Sequence, residues 1–321
     1  MLHWSDKPDD MKKVLCIISG ILFIFQSNVF GQTEITTTTH WYNRASYNPA
    51  SIARDGYIYF FSNMRKQWLG TEGSPTVYNF QVSGFSDSKQ SAFGISITKD
   101  DIGLTTALNP SLQFAHRVKL NRDLDLSFGL STGVYTRRIK SSAFEAEIIN
   151  DPVLDYTDQH FTSPDASVGV ELQGEYFLCG ISSNHLFSLW KPDDLFLIST
   201  HNYAYVMYKN TDSDLYNFMT GIKVANWRNF NVVEGTAIIR FKKLTGLVKG
   251  PTELFDLGVS FRSIKQLSLI TGINITPDTR IGYAYDFDFG NALNKFGTHE
   301  ILMEYRIPLK GRRGKGYDWY N

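Results

Sequence analysis

Between Glu253 and Ile307, apolar and polar residues alternate with a period of two through four consecutive segments, each closed by a turn. Phe255, Leu257, Val259 and Phe261 alternate with Asp256, Gly258, Ser260 and Arg262, and Ile281, Tyr283, Tyr285 and Phe287 alternate with Arg280, Gly282, Ala284 and Asp286. A period of two is the strand period. One set is aliphatic and aromatic and the other carries charge and glycine, the pattern of a strand between lipid and a polar lumen.

Similar runs recur from the first third of the chain onward, near 57–65, 75–85, 91–98, 107–118, 124–136, 165–173, 175–183, 200–209, 215–226, 229–236, 237–248, 253–263, 266–275, 279–288 and 298–307. Bacterial single-chain barrels close with an even strand number, so the weakest pair, between Asn229 and Val248, reduces the set to about fourteen, within roughly 12 to 16. The expected fold is all-β, a transmembrane antiparallel β-barrel. Ser86 to Gln90, Lys119 to Asp123 and Gly174 then form short periplasmic turns, while Arg137 to Pro164 and Asn184 to Ser199 form longer extracellular loops.

The N-terminus adds a compartment. Met11-Lys12-Lys13 opens a charged region followed by an apolar run from Val14 to Phe25 and small or polar residues to Gly31, the layout of a secretory signal peptide, with Met11 the expected start and cleavage between Gly31 and Gln32. The run is short for a membrane-spanning helix, and no later run approaches that length. Residues 1–31 are thus expected to be the signal, 32–56 a periplasmic lead-in or plug, 57–308 an outer-membrane barrel and 309–321 a basic tail.

Composition and charge narrow the function. With Lys+Arg 32 against Asp+Glu 32, there is no basic excess that would favour nucleic acid. Cys16 lies in the signal, so Cys179 stands alone and no internal disulfide or cysteine metal site is expected. None of His40, His116, His160, His185, His201 or His299 sits in a serine-hydrolase or paired-histidine zinc spacing, and no phosphate loop or calcium loop occurs. No catalytic residue, metal or cofactor is expected. Aromatic residues at 14% suit the interfacial girdles of a barrel.

Several short strings are legible together: Asn48-Pro49-Ala50 before the first strand; Met64-Arg65-Lys66-Gln67-Trp68 at its end; Gly70 to Pro75 after it; then Gly282-Tyr283-Ala284-Tyr285-Asp286, Gly297-Thr298-His299-Glu300-Ile301 and Glu304-Tyr305-Arg306. In this order they resemble the PorP/SprF family of outer-membrane proteins associated with type IX secretion and gliding motility. Met64 stands where the family pattern more often has tyrosine, and the tail Lys310 to Lys315 is an addition. The resemblance implies a non-enzymatic barrel in the cell outer membrane, in contact with outer-membrane lipid. Its implied partners are type IX secretion components and a large secreted adhesin or sorting-domain protein, and its implied role is to help export or anchor that client.

Read from the residues alone, Asn48-Pro49 sets the chain's entry into the barrel, because the residue before proline is pushed to extended backbone. Arg65 and Gln67 share a parity, and Trp68 suits an interface belt. Arg262, Asp286, Glu300, Glu304 and Arg306 fall on inward faces, where such charges are expected to pair or to hold the N-terminal segment. Two other functions fit the same pattern: a channel for small or hydrophobic solutes, and a secreted soluble β-sandwich binding protein.

Overall fold

The computed structural model describes residues 37–54, 56–143, 157–190, 198–228, 230–243, 252–289 and 296–309. Fourteen strands form one sheet: β1 Tyr57–Lys66, β2 Thr76–Ser86, β3 Ser91–Ile102, β4 Thr105–Lys119, β5 Asp125–Ile139, β6 Gln159–Gln173, β7 Phe177–Asn184, β8 His201–Asn210, β9 Tyr216–Trp227, β10 Phe230–Lys243, β11 Thr252–Arg262, β12 Gln266–Thr276, β13 Thr279–Asp288 and β14 Thr298–Pro308. Each pairs antiparallel with its sequence neighbours, and β1 pairs with β14 from Tyr57↔Pro308 to Lys66↔His299, closing the barrel. Closure leaves no unpaired sheet edge, the condition for crossing lipid with strands. It replaces the soluble sandwich.

The expected even count is met because the two weak runs between Asn229 and Val248 are one strand, β10. Gly235 interrupts its apolar pattern without breaking the ladder, which runs from Phe230↔Trp227 to Phe241↔Tyr216 against β9. The largest departure is β6, which begins six residues before its expected start. His160, Thr162 and Pro164 masked the alternation there, yet all pair with β5.

The two faces of the barrel differ as the alternation requires. Phe93 (64% exposed), Leu112 (61%) and Ile181 (62%) point outward, and so do Phe255, Leu257, Val259 and Phe261. Asp256, Ser260 and Arg262 between them are buried. Outward aromatics gather at both ends. Tyr78, Phe261 and Phe287 lie near one, while Phe177, Tyr208, Tyr216, Phe255 and Tyr305 lie near the other, forming two interfacial girdles. Cys179 is a half-buried free thiol.

The four longest connections, 67–75, 140–158, 185–200 and 289–297, all follow odd-numbered strands and so emerge at one end, the outer end by the usual asymmetry. The segregation is partial, since the tight connections 103–104, 228–229 and 263–265 share that end. The expected signal peptide, residues 1–31, and nearly all of the basic tail, residues 310–321, lie outside the described residues.

Candidate functional site

The lumen is occupied by the chain's own residues 37–54, which form the 3-10 turns Thr39–Trp41, Arg44–Ser46 and Pro49–Ile52. Asn48 is extended at φ −135° and ψ 107°, as a residue before proline should be. Its Oδ1 accepts from the Ala50 amide at 3.0 Å, capping the turn that Pro49 opens. Its Nδ2 donates to the Val170 carbonyl at 3.1 Å and to the Tyr205 hydroxyl at 2.9 Å. The wall leaves room at this level by omitting side chains. A Cβ on Gly129 would lie 2.0 Å from the Ala50 nitrogen, and one on Gly169 would lie 2.0 Å from Asn48 Oδ1.

Around this seat and above it, side chains reach from the segment to the strands. Arg44, fully buried, donates to Glu171 from Nε at 2.9 Å and from Nη2 at 3.3 Å, and Tyr205 donates to the same carboxylate. Burial alone would lower the Arg44 pKa, but Glu171 beside it holds the guanidinium above its ordinary range. Trp41 Nε1 donates to Thr236 Oγ1 at 2.7 Å, and the Tyr42 hydroxyl donates to Asp256 at 3.2 Å. His40 Nδ1 donates to the Thr37 carbonyl at 2.7 Å, so a neutral ring carries its proton on Nδ1. Burial pushes the His40 pKa down to about 3, opposed by the nearby Glu234.

At the outer end four wall residues close on Thr37–Thr39, two on the backbone and two on the Thr38 hydroxyl alone. Glu300 accepts from the Thr38 amide at 2.7 Å on one oxygen and from the Thr39 amide at 3.2 Å on the other, and it also takes the Thr39 hydroxyl. The Thr38 hydroxyl donates to Asp286 at 2.8 Å. It accepts from Arg65 at 3.2 Å and from Arg262 at 3.0 Å, while Arg262 also donates to the Thr37 carbonyl at 3.0 Å. Arg65 pairs with Asp286 at 2.5 Å and with Glu300 at 3.2 Å, and Arg262 pairs with Glu234 at 3.0 Å. All of these wall groups are at most 3% exposed. Buried charges are tolerated only when paired and hydrogen-bonded, and here they are.

These contacts fix the path of the segment. Arg65, Arg262, Asp286 and Glu300 lie within three residues of the outer ends of β1, β11, β13 and β14, whereas Glu171 and Tyr59, which Arg54 overlies at 5.3 Å, lie within three residues of the opposite ends of β6 and β1. The segment therefore runs the length of the lumen, from Thr37 at the outer mouth to Arg54 at the periplasmic end. A second charge cluster lies lower on β10 to β13, where Arg240 pairs with Asp256 at 2.6 Å and with Glu253 at 3.0 Å, and Arg280 pairs with Glu253 at 2.8 Å.

The residues singled out in the sequence separate into four groups. Arg65, Asp286 and Glu300 meet at the outer mouth, with Asn48 and Pro49 on the segment they hold. Tyr285, His299 and Tyr305 face outward: Tyr285 packs on His299 with ring centroids 5.0 Å apart, and Tyr305 packs on Phe60 at 6.0 Å near the opposite end. Gln67, Trp68 and Gly70 belong to the first outer connection. Gln67 does not extend the strand parity of Arg65, because β1 ends at Lys66 and its amide turns to the Pro75 carbonyl at 2.9 Å. Trp68, at φ 50°, donates its amide to Thr298 Oγ1 at 3.3 Å, and Gly70 sits at φ 85° against Phe296. Gln67 closes the first connection on itself, while Trp68 and Gly70 tie it to the last connection and the start of β14. Glu304 and Arg306, 3.7 Å apart, lie at the periplasmic end, and Arg306 donates to the Pro277 carbonyl at 2.8 Å.

Arg44, Glu171, Glu234 and Trp41 escape a sequence reading. Glu171 and Glu234 were legible only as inward parity, and Arg44 and Trp41 sit in a stretch that reads as a polar lead-in. Among the described residues no group of three His, Cys, Asp or Glu is placed to hold a metal ion, and no helix is long and apolar enough to cross a membrane.

The family model described as "Type IX secretion system membrane protein PorP/SprF" matches residues 29–305. No curated protein sequence matches significantly. Solved structures that are similar include the CymD monoaromatic hydrocarbon channel, at 10% identity and TM-score 0.48 over 87% of this chain and 95% of that one. The Pseudomonas putida toluene transporter TodX is similar at 8% identity and TM-score 0.46, over 85% and 94%. The Acinetobacter baumannii outer membrane protein Omp33 is similar at 11% identity and TM-score 0.42, over 80% and 100%.

Proposed function

The chain belongs to the PorP/SprF family of type IX secretion membrane proteins, and from that premise we propose that this outer-membrane barrel works as a plugged docking component rather than as an open pore. In this reading it helps to export or anchor one large secreted surface protein. The observation that carries it is the lumen-long segment 37–54, held at the outer mouth by Arg65, Arg262, Asp286 and Glu300 and seated below against Gly129 and Gly169. A barrel whose axis is filled by its own chain offers the secretion machine a rigid wall, two lipid girdles and a set of outer loops. The polar lumen then serves to hold the plug. The first 31 residues act as a cleaved secretory signal that delivers the chain to the periplasm, and residues 309–321 are a basic tail.

The test is deletion of the gene in its own organism, followed by surface proteomics. Loss of one large sorting-domain protein from the surface, with uptake of small apolar solutes unchanged, is the expected result. Unchanged surface proteins together with slowed solute uptake would overturn the docking role in favour of a channel.

A further inference from the structure

The contacts at the outer mouth read a peptide in an unusual way. Glu300 uses both oxygens on two successive amides, Arg262 donates to the carbonyl before them, and the only side-chain groups engaged are the hydroxyls of Thr38 and Thr39. Nothing in this set requires threonine methyls or any larger side chain. With Glu234, which pairs with Arg262, and Lys223, which pairs with Glu234 at 3.3 Å, the wall groups also balance, three cations against three carboxylates. An anionic or cationic occupant would leave an uncompensated charge in a site nine-tenths buried or more, whereas a neutral backbone leaves none.

The occupant is loosely specified by sequence. Thr36, Thr37, Thr38 and Thr39 are identical, so a shift by one residue still presents a hydroxyl at each position. The register is set lower down, where Trp41 reaches Thr236 and Tyr42 reaches Asp256. The site lies within three residues of the outer strand ends and is covered by the cis threonines themselves, so an outside segment can enter only by displacing them.

We propose that Arg65, Arg262, Asp286 and Glu300 form a peptide-reading site that Thr37–Thr39 occupies in cis at the start of the 3-10 turn Thr39–Trp41, and that accepts instead an uncharged segment of another protein that opens the same turn with two adjacent hydroxyl residues. This rests on the plugged-barrel reading, because the site exists only as long as the segment below it stays seated. The tethered threonines compete at an effective concentration of the order of millimolar. Exchange therefore favours a partner that is itself concentrated at the mouth, as a docked client would be.

The experiment uses the purified full chain and the fluorescent heptapeptide Ile-Thr-Thr-Thr-Thr-His-Trp, with a counterpart carrying valine for each threonine. In a chain carrying Thr38→Val and Thr39→Val, the threonine probe is expected to bind saturably and roughly tenfold tighter than to the unsubstituted chain. The valine probe should bind roughly tenfold more weakly, since each lost hydroxyl leaves a buried acceptor unmatched. Adding Glu300→Gln should abolish the signal. Deuterium exchange on the unsubstituted chain gives a second readout that needs no variant: saturating threonine probe should raise uptake at residues 38–39, and valine probe should not. Equal binding of both probes, or no binding and no change in uptake, overturns the proposal. The plugged-barrel reading fails separately, by conductance of the unsubstituted chain.

Discussion

The upper and lower halves of the lumen segment are held by different physics. Thr37–Thr39 are gripped by charge: two arginines and two carboxylates at the outer mouth, all buried, all directed at backbone or hydroxyl groups. Asn48–Ile52 are gripped by shape: a proline-opened turn lying where Gly129 and Gly169 present no side chains. A charge grip needs only a competing polar group to loosen, whereas a shape grip gives way only if the wall or the turn changes. The difference assigns the outer end as the releasable part and the periplasmic end as the anchor.

The comparison breaks most severely at the glycine seat. Gly169→Val would put a branched side chain into Asn48, whose Oδ1 lies 2.0 Å from the new Cβ position. Expulsion of the segment or failure to fold is expected, seen as loss of the heat-modifiable gel shift or, in any folded fraction, as a steady conductance.

The outer grip should give a smaller but large effect. Arg65→Ala leaves Asp286 and Glu300 facing one guanidinium instead of two, and breaking a buried pair in this way costs about 3–5 kcal/mol. The unfolding midpoint should fall, and proteolysis should begin at residues 37–42 while residues 48–54 stay protected. Protection lost equally at both ends would show that the two halves are not independent.

A third effect depends on pH. Burial, opposed by Glu234 and helped by Lys223 and Arg262, holds His40 neutral, its pKa pushed down to about 3 from an ordinary value near 6.5. Below about pH 6.5 the unfolded chain binds a proton that the folded chain refuses, so stability is complete above that pH and falls as pH drops toward 3. Between pH 7.5 and 5.5 the wild-type midpoint should decline more steeply than that of His40→Gln. Parallel curves would remove His40 from the account.

The smallest effect is expected on the rim, where Lys99 and Asp101 pair at 2.5 Å with Lys99 nearly half exposed. Lys99→Ala should change stability by less than about 1 kcal/mol.

Most of the barrel wall was legible because burial on a strand imposes a parity that the sequence must obey. The series Phe255, Leu257, Val259 and Phe261 and its polar complement name the two faces directly, and the inward placement of Asp286, Glu300 and Arg262 follows from the same rule. Where polar residues face outward near the rim, as in the first part of β6, the rule loses contrast and the strand start is missed by six residues. The lumen segment was harder. Its turns last three or four residues, too short for any periodicity, and Arg44 finds Glu171 across 127 positions. Only Asn48-Pro49 left a local trace, through the backbone restriction that proline imposes. Contacts set by barrel closure rather than by neighbouring residues leave no pattern to read.

The central claim is that the chain's own residues 37–54 close the barrel, and conductance of the purified full chain in planar lipid bilayers tests it most directly. The account predicts silent insertion for the unsubstituted protein, with steady conductance only after the lower seat is disrupted. A steady open channel from the unsubstituted protein would contradict it.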